Sequence, residues 1–295
     1  MMLPFRSFRK VILSLACVWV SICLPLVAIA KDFMEQGARV VSLSPYLTEA
    51  INALDGNSFL VGQTIYCRDL DSQKKVRSVG GIDVPNIELI LSLKPTLVMA
   101  SNLTTEETLS RLERFGVTVE RFNTTSLEDI LTVYKRVGHL LGKQTKANDA
   151  VTTFREALTN AEALKRTNPS KRPKACFLFG FEAPIFSAGN KTYVSELIEL
   201  AGFTNIANHA KSPWPQLNNE WLIEADPEVI FITQRKSSES LEQLIKRLQR
   251  TLPWSHIAAV QAARVYEIPE GVFANPSAQT LRALPFLSKV WLAYP

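Results

Sequence analysis

The sequence predicts an α/β fold in which two similar lobes are joined by a single long backbone helix. Three observations support this prediction. Short apolar runs alternate with amphipathic stretches along most of the chain, a long amphipathic stretch occupies its middle, and one short motif occurs on each side of that stretch. Alternating strands and helices are typical of a mostly parallel sheet covered by helices on both faces, so we expect each lobe to be Rossmann-like.

The linking helix is predicted over residues 143–168. Gly142 precedes it and Asn168-Pro169 ends it, because proline cannot continue a helix. About 24 helical residues would span about 36 Å, enough to cross a small domain. The apolar residues recur at helical spacing along one stripe: Ala147, Ala150, Val151, Phe154, Ala157, Leu158, Ala161 and Leu164.

A repeated motif predicts that the two lobes share one architecture. It contains an asparagine, a glutamate two positions later and a proline that precedes an apolar run. Internal repeats of this kind indicate duplicated structure, although asparagine caps and prolines after helices are also common by chance. The second copy lies 132 positions after the first: Asn86, Glu88 and Pro95, then Asn218, Glu220 and Pro227.

Residues 1–30 have the features of a signal peptide. A basic start is followed by an uncharged, mostly apolar run over residues 11–30, and Ala28-Ile29-Ala30 matches a small-residue cleavage site. An uncleaved membrane anchor is the alternative, because twenty apolar residues could span a bilayer. Cleavage would leave an N-terminal lobe of residues 31–142, the linking helix and a C-terminal lobe of residues 169–295, all of them exported.

The predicted elements of the N-terminal lobe alternate strand and helix in chain order. Apolar β-type runs predict the strands, and capping residues followed by 3.6-residue periodicity predict the helices. The strands are residues 39–43, 59–61, 76–79, 96–100 and 117–122, and the helices are residues 46–54, 87–93, 104–115 and 126–141.

The C-terminal lobe repeats this order after the linking helix. A proline-rich loop is predicted over residues 208–217 and a second loop over residues 269–275, each following a predicted strand or helix. The strands are residues 174–179, 229–233 and 264–268, and the helices are residues 192–201, 219–225, 238–250 and 276–293.

Composition excludes several classes of function. Without the leader the chain has 30 basic and 28 acidic residues, so no nucleic-acid or polybasic membrane surface is expected. Phosphate-binding loops, nucleophile elbows and paired metal-ligand motifs are absent from the sequence, and its three histidines are scattered. We therefore expect a binding protein without a metal or catalytic cofactor, not an enzyme. Cys67 and Cys176 are interpreted as separate thiols, because a disulfide between lobes would lock any hinge.

Two sets of side chains are candidates for function. Glu88 and Glu220 fall in the first turn of their helices, where the macrodipole alone favours a carboxylate, but their equivalent positions also suit a partner with two basic pockets. A second set consists of aromatic residues near strand ends, where open α/β sheets bind ligands and where rings could stack on a large planar molecule. These are Tyr46, Tyr66, Trp214 and Phe273.

Several short motifs occur along the chain. They are Ser42-Leu43-Ser44-Pro45, Val61-Gly62 before Tyr66, Asn86-Ile87-Glu88 with Leu93-Lys94-Pro95, Pro213-Trp214-Pro215-Gln216, and Ile230-Phe231-Ile232-Thr233. Together these motifs resemble those of periplasmic cobalamin-binding proteins of ABC importers, and the resemblance covers Arg39 to the C-terminus. The Ser-Leu-Ser-Pro and Asn-x-Glu motifs are shared with the wider siderophore and haem binders, whereas Pro-Trp-Pro-Gln is more particular to the cobalamin branch.

The resemblance implies a bilobal carrier that holds a corrinoid in its cleft and delivers it to a membrane permease with its ATPase, as a monomer when free. It assigns Glu88 and Glu220 to docking on permease arginines. Where members of the family carry further cleft tryptophans, this chain has Ile82 and Ser101, so a haem or ferric siderophore remains an alternative ligand. A secreted hydrolase with paired carboxylates is the alternative from another class. The implied ligand-binding residues are Tyr66, Trp214, Glu270, Gly271, Val272 and Phe273.

Overall fold

The computed structural model describes residues 37–70, 76–233, 239–268 and 270–295. The predicted signal peptide lies outside these residues. Within the described ranges, no helix combines the length and the apolar character that crossing a membrane would require.

A five-stranded parallel sheet forms from the part of the chain that precedes the long helix. Its strand order is β3-β2-β1-β4-β5. The strands are β1 Val40–Ser42, β2 Leu60–Gln63, β3 Arg77–Ser78, β4 Leu97–Ser101 and β5 Thr118–Phe122, and the helices are α1 Pro45–Ala53, α2 Ile87–Ser92, α3 Glu106–Arg114 and α4 Leu127–Leu140.

The long helix is α5, Gln144–Arg166, with 23 residues. At 1.5 Å per residue it is about 35 Å long. Its apolar stripe packs against α4 on one side, and also against helices formed by the chain that follows it. The sequence prediction of one long helix between two sheets is therefore confirmed, and its ends differ from the predicted ones by one or two residues.

The chain after α5 forms a second parallel sheet with the order β8-β6-β10-β11. A separate antiparallel pair, β7 with β9, lies beside it. The strands are β6 Lys174–Leu178, β7 Ile185–Phe186, β8 Thr204–Asn205, β9 Gln216–Leu217, β10 Val229–Thr233 and β11 Val265–Ile268. The helices are α6 Tyr193–Leu200, α7 Asn219–Ala225, α8 Leu241–Leu248, α9 Ala258–Gln261, α10 Glu270–Ala274, α11 Ala278–Leu281 and α12 Ala283–Ala293.

The two sheets are built alike, because β8-β6-β10-β11 has the same order as β2-β1-β4-β5. The repeated helices α2 and α7 begin in the same way. The Asn86 side chain accepts from the Leu89 amide at 2.9 Å, and the Asn218 side chain accepts from the Trp221 amide at 2.8 Å. Both asparagines are therefore the N-caps that the repeat predicted.

The repeated helices also end alike. Lys94 (φ 47°) and Asp226 (φ 41°) adopt the left-handed conformation before the proline of each copy. A basic side chain at the start of a strand then caps each helix. Arg39, directly before β1, donates from its guanidinium to the Leu93 carbonyl at 2.7 Å. Lys174, the first residue of β6, donates from its ammonium group to the Ala225 carbonyl at 3.2 Å. These cations satisfy carbonyls that the helix leaves unpaired.

The largest apolar core is continuous through α5. It joins the helices that pack on the first sheet, such as α1 and α4, with α6 and α12 beside the second sheet. Two smaller clusters cover the opposite faces of the sheets, one under α2 and α3 and the other under α7 and α8. Each sheet is thus covered on both faces, as the alternation of elements predicted.

Some boundaries differ from those predicted. The loop predicted over residues 269–275 contains the short helix α10, and the last predicted helix is divided into α11 and α12 near Arg282. Pro285 explains the division, because it has no amide proton to donate to the Leu281 carbonyl and is tolerated only in the first turn of a new helix. The two-residue strands β7, β8 and β9 and the helix α9 were not predicted, because such short elements carry little periodicity.

Candidate functional site

A cavity of about 670 Å³ lies between the two sheets, at the carboxyl ends of strands from both. Ser44 and Ser101 border it after β1 and at the end of β4, and Phe179 and Phe273 border it from positions after β6 and β11. Ligands commonly bind at this edge of open α/β sheets, and the volume is in the usual range for small-molecule sites. The cavity is therefore the candidate ligand site.

Aromatic side chains form much of the cavity wall. The Trp214 ring lies 5.9 Å from the Phe179 ring and 6.1 Å from the Tyr193 ring, measured between centroids. Trp214 remains 41% exposed, whereas Phe273 is fully buried beneath the wall and meets Phe177 edge-on. An exposed indole held by neighbouring rings can stack on a flat ligand without first losing much conformational freedom.

Two tyrosines occupy matching places on the two sides of the cavity. The Tyr46 hydroxyl donates to the Phe122 carbonyl at 3.4 Å, and the Tyr193 hydroxyl donates to the Phe273 carbonyl at 2.6 Å. Burial raises the pKa of Tyr46 to about 12 and also raises the pKa of Tyr193. Both phenols are neutral at physiological pH, with their protons directed to the backbone.

Helices α1 and α6, which carry Tyr46 and Tyr193, each also place a carboxylate against the other lobe. Glu49 of α1 accepts from the Gln279 amide at the start of α11 at 3.3 Å, and Glu196 of α6 accepts from the Leu127 amide at the start of α4 at 2.7 Å. Each lobe thus places a carboxylate at the N-terminus of a helix of the other lobe, where the helix dipole favours it. We call this pair the reciprocal caps.

The reciprocal caps were not predicted from the sequence, although a signal was present. Tyr46-x-x-Glu49 recurs as Tyr193-x-x-Glu196, 147 positions later. This second repeat has a different offset from the asparagine motif, because the connections between elements differ in length in the two lobes. A search limited to one offset does not detect it.

The aromatic residues that the sequence predicted are only partly brought together. Trp214 and Phe273 line the cavity, as does Tyr46. Tyr66 lies on the 3₁₀ helix Ile65–Leu70, is 59% exposed and is not among the lining residues. Its contact with a ligand remains a prediction. Ile82 and Ser101, which stand at the positions of cleft tryptophans in the resembling family, do line the cavity.

The segment 270–273 contributes less to the wall than predicted. Gly271 is on α10 and is not among the lining residues, and Val272 is buried in the apolar core with 7% of its surface exposed. The side chain of Glu270 lies outside the described part of the structure. Phe273 is thus the member of this segment that borders the cavity, and ligand contacts by the other three residues remain predictions.

The cavity also has a polar component that the sequence analysis did not identify. Lys191 is an exposed cation directly before Thr192, the N-cap of α6. The other polar side chains of the described lining are uncharged, including the hydroxyl of Thr124 and the amides of Asn102 and Asn275. In the sequence alone Lys191 resembles any surface lysine, so only the folded arrangement identifies it.

Glu88 and Glu220 both lie in the first turns of their helices and are exposed. Within the described ranges neither carboxylate forms an ion pair with another residue. The helix dipole accounts for their positions, and a docking role remains a prediction.

Cys67 and Cys176 are both buried and both free thiols, as interpreted from the sequence. Burial raises the pKa of Cys176 to about 12, so this thiol is protonated and unreactive. Among the described residues, no group of three histidine, cysteine or acidic side chains could hold a metal ion.

Solved structures with the same fold include carriers of two kinds of ligand. The periplasmic vitamin B12 binding protein BtuF of Vibrio cholerae has a TM-score of 0.71 and 24% identity, over 86% of this chain and 96% of that one. The periplasmic heme-binding protein RhuT of Roseiflexus sp. RS-1 has a TM-score of 0.74 and 24% identity, over 86% of this chain and 98% of that one. At this identity the likeness shows the fold alone.

Among curated proteins, the vitamin B12-binding protein of Yersinia pestis (strain Pestoides F) is 28% identical over 204 residues, which are 69% of this chain and 72% of that protein. A family model described as periplasmic binding protein matches residues 40–272. This range contains both sheets, α5 and nearly all of the cavity wall. The chain belongs to the periplasmic binding protein family.

Proposed function

We propose that the chain is the substrate-binding component of an ABC importer, which captures cobalamin or a related corrinoid in the periplasm. The carrying observation is the cavity between the lobes, with its aromatic wall and with hydroxyls, amides and one ammonium group among the described polar lining. A corrin ring is broad and mostly uncharged, so aromatic stacking and neutral hydrogen-bonding groups suit it. The printed name of the Yersinia relative supports the same ligand class.

The family and the fold support the importer part of the proposal. One solved structure of this fold, from Listeria monocytogenes, is named an ABC transporter substrate-binding protein, with a TM-score of 0.70 and 22% identity. Export of the chain would depend on the predicted leader at residues 1–30, and delivery would depend on a membrane permease and its ATPase. We further propose that Glu88 and Glu220, on equivalent helices of the two lobes, contact that permease.

Haem is the second candidate, because several structures of this fold are named heme-binding proteins. Haem iron needs an axial ligand from a histidine, cysteine, methionine or tyrosine. In the described lining, the side chains of these types are Tyr46 and Tyr193, and both hydroxyls donate to backbone carbonyls. The exposed Tyr66 would be the available ligand outside the lining. The cavity itself therefore favours the corrinoid.

The experiment is a titration of the purified mature chain, residues 31–295, with cyanocobalamin, cobinamide, haem and ferric siderophores. Isothermal calorimetry would measure affinity, and visible absorption would report axial ligation of iron or cobalt. We expect binding of at least one corrinoid with a dissociation constant below about 1 μM, the range of specific small-ligand binding. No corrinoid binding at micromolar concentration, together with haem binding, would transfer the proposal to haem.

A further inference from the structure

The only charge among the described lining residues of the cavity belongs to Lys191. Its side chain is exposed, and no carboxylate within the described ranges forms an ion pair with its ammonium group. The described part of the lining contains no acidic residue that would neutralise it. The cavity therefore has a local positive potential on the side formed by the second sheet.

The backbone around Lys191 is fixed. Lys191 adopts the left-handed conformation at φ 65°, and its amide donates to the Asn190 side chain at 2.9 Å. The Thr192 hydroxyl donates to the Gly189 carbonyl at 2.8 Å, and the Gly189 amide donates to the Pro213 carbonyl at 2.8 Å. These bonds tie the loop of Lys191 to the loop that presents Trp214. The ammonium and the indole thus belong to one structural unit.

The position of Lys191 also adds to its effect on an anion. It directly precedes α6, an eight-residue helix whose N-terminus faces the cavity through Thr192 and Tyr193. The positive end of the helix dipole therefore lies on the same side as the ammonium group. The first-turn carboxylate Glu196 points to the other lobe, where it accepts from the Leu127 amide.

This charge pattern suits a ligand that is neutral over most of its surface and carries one anionic group. Cobalamin has this form, because its corrin amides are uncharged and its nucleotide loop contains one phosphodiester. Cobinamide has the same ring and lacks the phosphodiester. A lysine that pairs with this group would distinguish the two corrinoids, whereas aromatic stacking would not.

We propose that Lys191 is a specificity-determining residue that binds the anionic phosphodiester of cobalamin while Trp214, on the adjoining loop, contacts the ring. This inference rests on the corrinoid function proposed above. Because Lys191 is exposed, solvent moderates its ion pair, and the expected contribution is that of a partly screened charge-assisted hydrogen bond.

The test compares wild type, Lys191→Gln and Lys191→Arg, each titrated with cyanocobalamin and with dicyanocobinamide. Lys211→Gln is the matched control, because it removes an equal charge from an exposed lysine that does not line the cavity. We expect Lys191→Gln to weaken cobalamin binding roughly three- to tenfold and to change cobinamide binding less than about twofold. Lys191→Arg should retain most of the cobalamin affinity, and Lys211→Gln should change neither affinity.

Two results separate this inference from the proposed function. In the first, wild type binds both corrinoids while Lys191→Gln lowers the two affinities equally or leaves both unchanged. In that case the proposed role of Lys191 is wrong and the corrinoid function stands. If wild type binds neither corrinoid, the proposed function fails and the inference fails with it. A further readout is salt: raising ionic strength should reduce the preference of wild type for cobalamin, but not that of Lys191→Gln.

Discussion

At the scale of single residues, Trp214 is the side chain that we expect to contribute most to ligand affinity. It is 41% exposed, and its ring lies 5.9 Å from the Phe179 ring and 6.1 Å from the Tyr193 ring, measured between centroids. Replacement by alanine removes that surface and should weaken corrinoid binding about tenfold or more. Calorimetric titration of Trp214→Ala against wild type measures the change.

Phe115→Ala is the matched control for Trp214→Ala. Phe115 is an aromatic residue with 65% exposure that lies outside the cavity lining. The Phe115→Ala variant should bind the corrinoid like wild type and have the same melting temperature to within a few degrees. Equal affinities for wild type and Trp214→Ala would remove the aromatic wall from the binding mechanism.

Glu49 should make stability depend on pH. Burial raises its pKa above the ordinary 4.5, although hydrogen bonds from Ser277 and Gln279 and the charge of Arg282 oppose the increase. Between the ordinary and the raised pKa the folded state binds more protons than the unfolded state, so the free energy of unfolding falls as pH rises through this window. Urea unfolding of wild type and Glu49→Gln from about pH 4 to 7 checks this. The wild type should lose stability relative to the variant, and a constant difference would contradict the assignment.

The sequence could indicate lining residues of the cavity where an aromatic side chain lies in a loop near the end of a strand. The sequence proposed Trp214 and Phe273 as aromatic residues near strand ends, and both line the cavity, whereas their contact with a ligand remains a prediction. Lys191 was not found, because a lysine in a polar loop is usually solvated and only the folded arrangement places it beside the cavity. The interlobe role of Glu49 depends on Gln279, 230 positions away, which no local pattern shows.

At the scale of elements, the contact of α4 with α5 depends on Gly138. A Cβ atom at this position would lie 2.4 Å from the Ala147 Cβ atom, closer than two carbons can pack. Alanine at a helical glycine usually stabilises a protein by about 0.5–1 kcal/mol, but here overpacking should outweigh that gain. Gly138→Ala should lower the free energy of unfolding by about 1–3 kcal/mol, as measured by urea titration.

A second substitution supplies the control for Gly138→Ala. Ala147→Gly removes the methyl group that the new Cβ atom would meet, so the double variant should recover part of the loss. Strict additivity of the two destabilising changes would show that the helices do not clash at this point.

The cap formed by Glu196 should be measurable at one amide. Glu196→Ala removes the acceptor of the Leu127 amide, 2.7 Å away at the start of α4, and should lower the free energy of unfolding by about 1–2 kcal/mol. Hydrogen exchange at the Leu127 amide should accelerate. Glu196→Gln keeps an acceptor oxygen and should retain most of the protection. Unchanged exchange in Glu196→Ala would show that the cap is not formed in solution.

Elements were predictable where length or capping gave a strong signal. The 23-residue α5 and the capped helices α2 and α7 were found within a few residues of their ends. The antiparallel pair of β7 and β9 was missed, because each strand has two residues and their pairing joins positions about thirty apart. The start of α12 was missed, because the apolar residues over residues 276–293 predicted one continuous helix in spite of Pro285.

At the scale of the whole molecule, Glu88 and Glu220 present two carboxylates on equivalent helices of the two lobes. If these groups dock on the permease, Glu88→Ala and Glu220→Ala should reduce corrinoid uptake by cells strongly, and the double variant more strongly. Corrinoid affinity of the isolated variants should stay within about twofold of wild type, because neither residue lines the cavity.

Glu107→Ala is the control for docking. Glu107 is likewise an exposed carboxylate in the first turn of a helix, α3, but it is not part of the repeat. Its removal should leave uptake unchanged. A large loss of affinity in the purified Glu88 or Glu220 variant would place these residues at the ligand instead of at the transporter.

The duplicated architecture was predictable because its two copies carry the same capping and breaking residues. The relation of the lobes to each other was not, because it depends on packing around α5 and on the reciprocal caps. The sequence therefore indicated how many halves to expect and what each contains, and the structure added the space between them.

The two lobes differ in one of the side chains that they contribute to the edge of the cavity. Ser44 and Lys191 each stand two residues before the tyrosine of a Tyr-x-x-Glu motif, and both border the cavity. One is a buried neutral hydroxyl and the other an exposed cation. A ligand that could otherwise bind in two opposite orientations would therefore contact different side chains on the two sides of the cavity. If the chain delivers its ligand to a permease as proposed, the ligand would then be presented to that permease in one orientation.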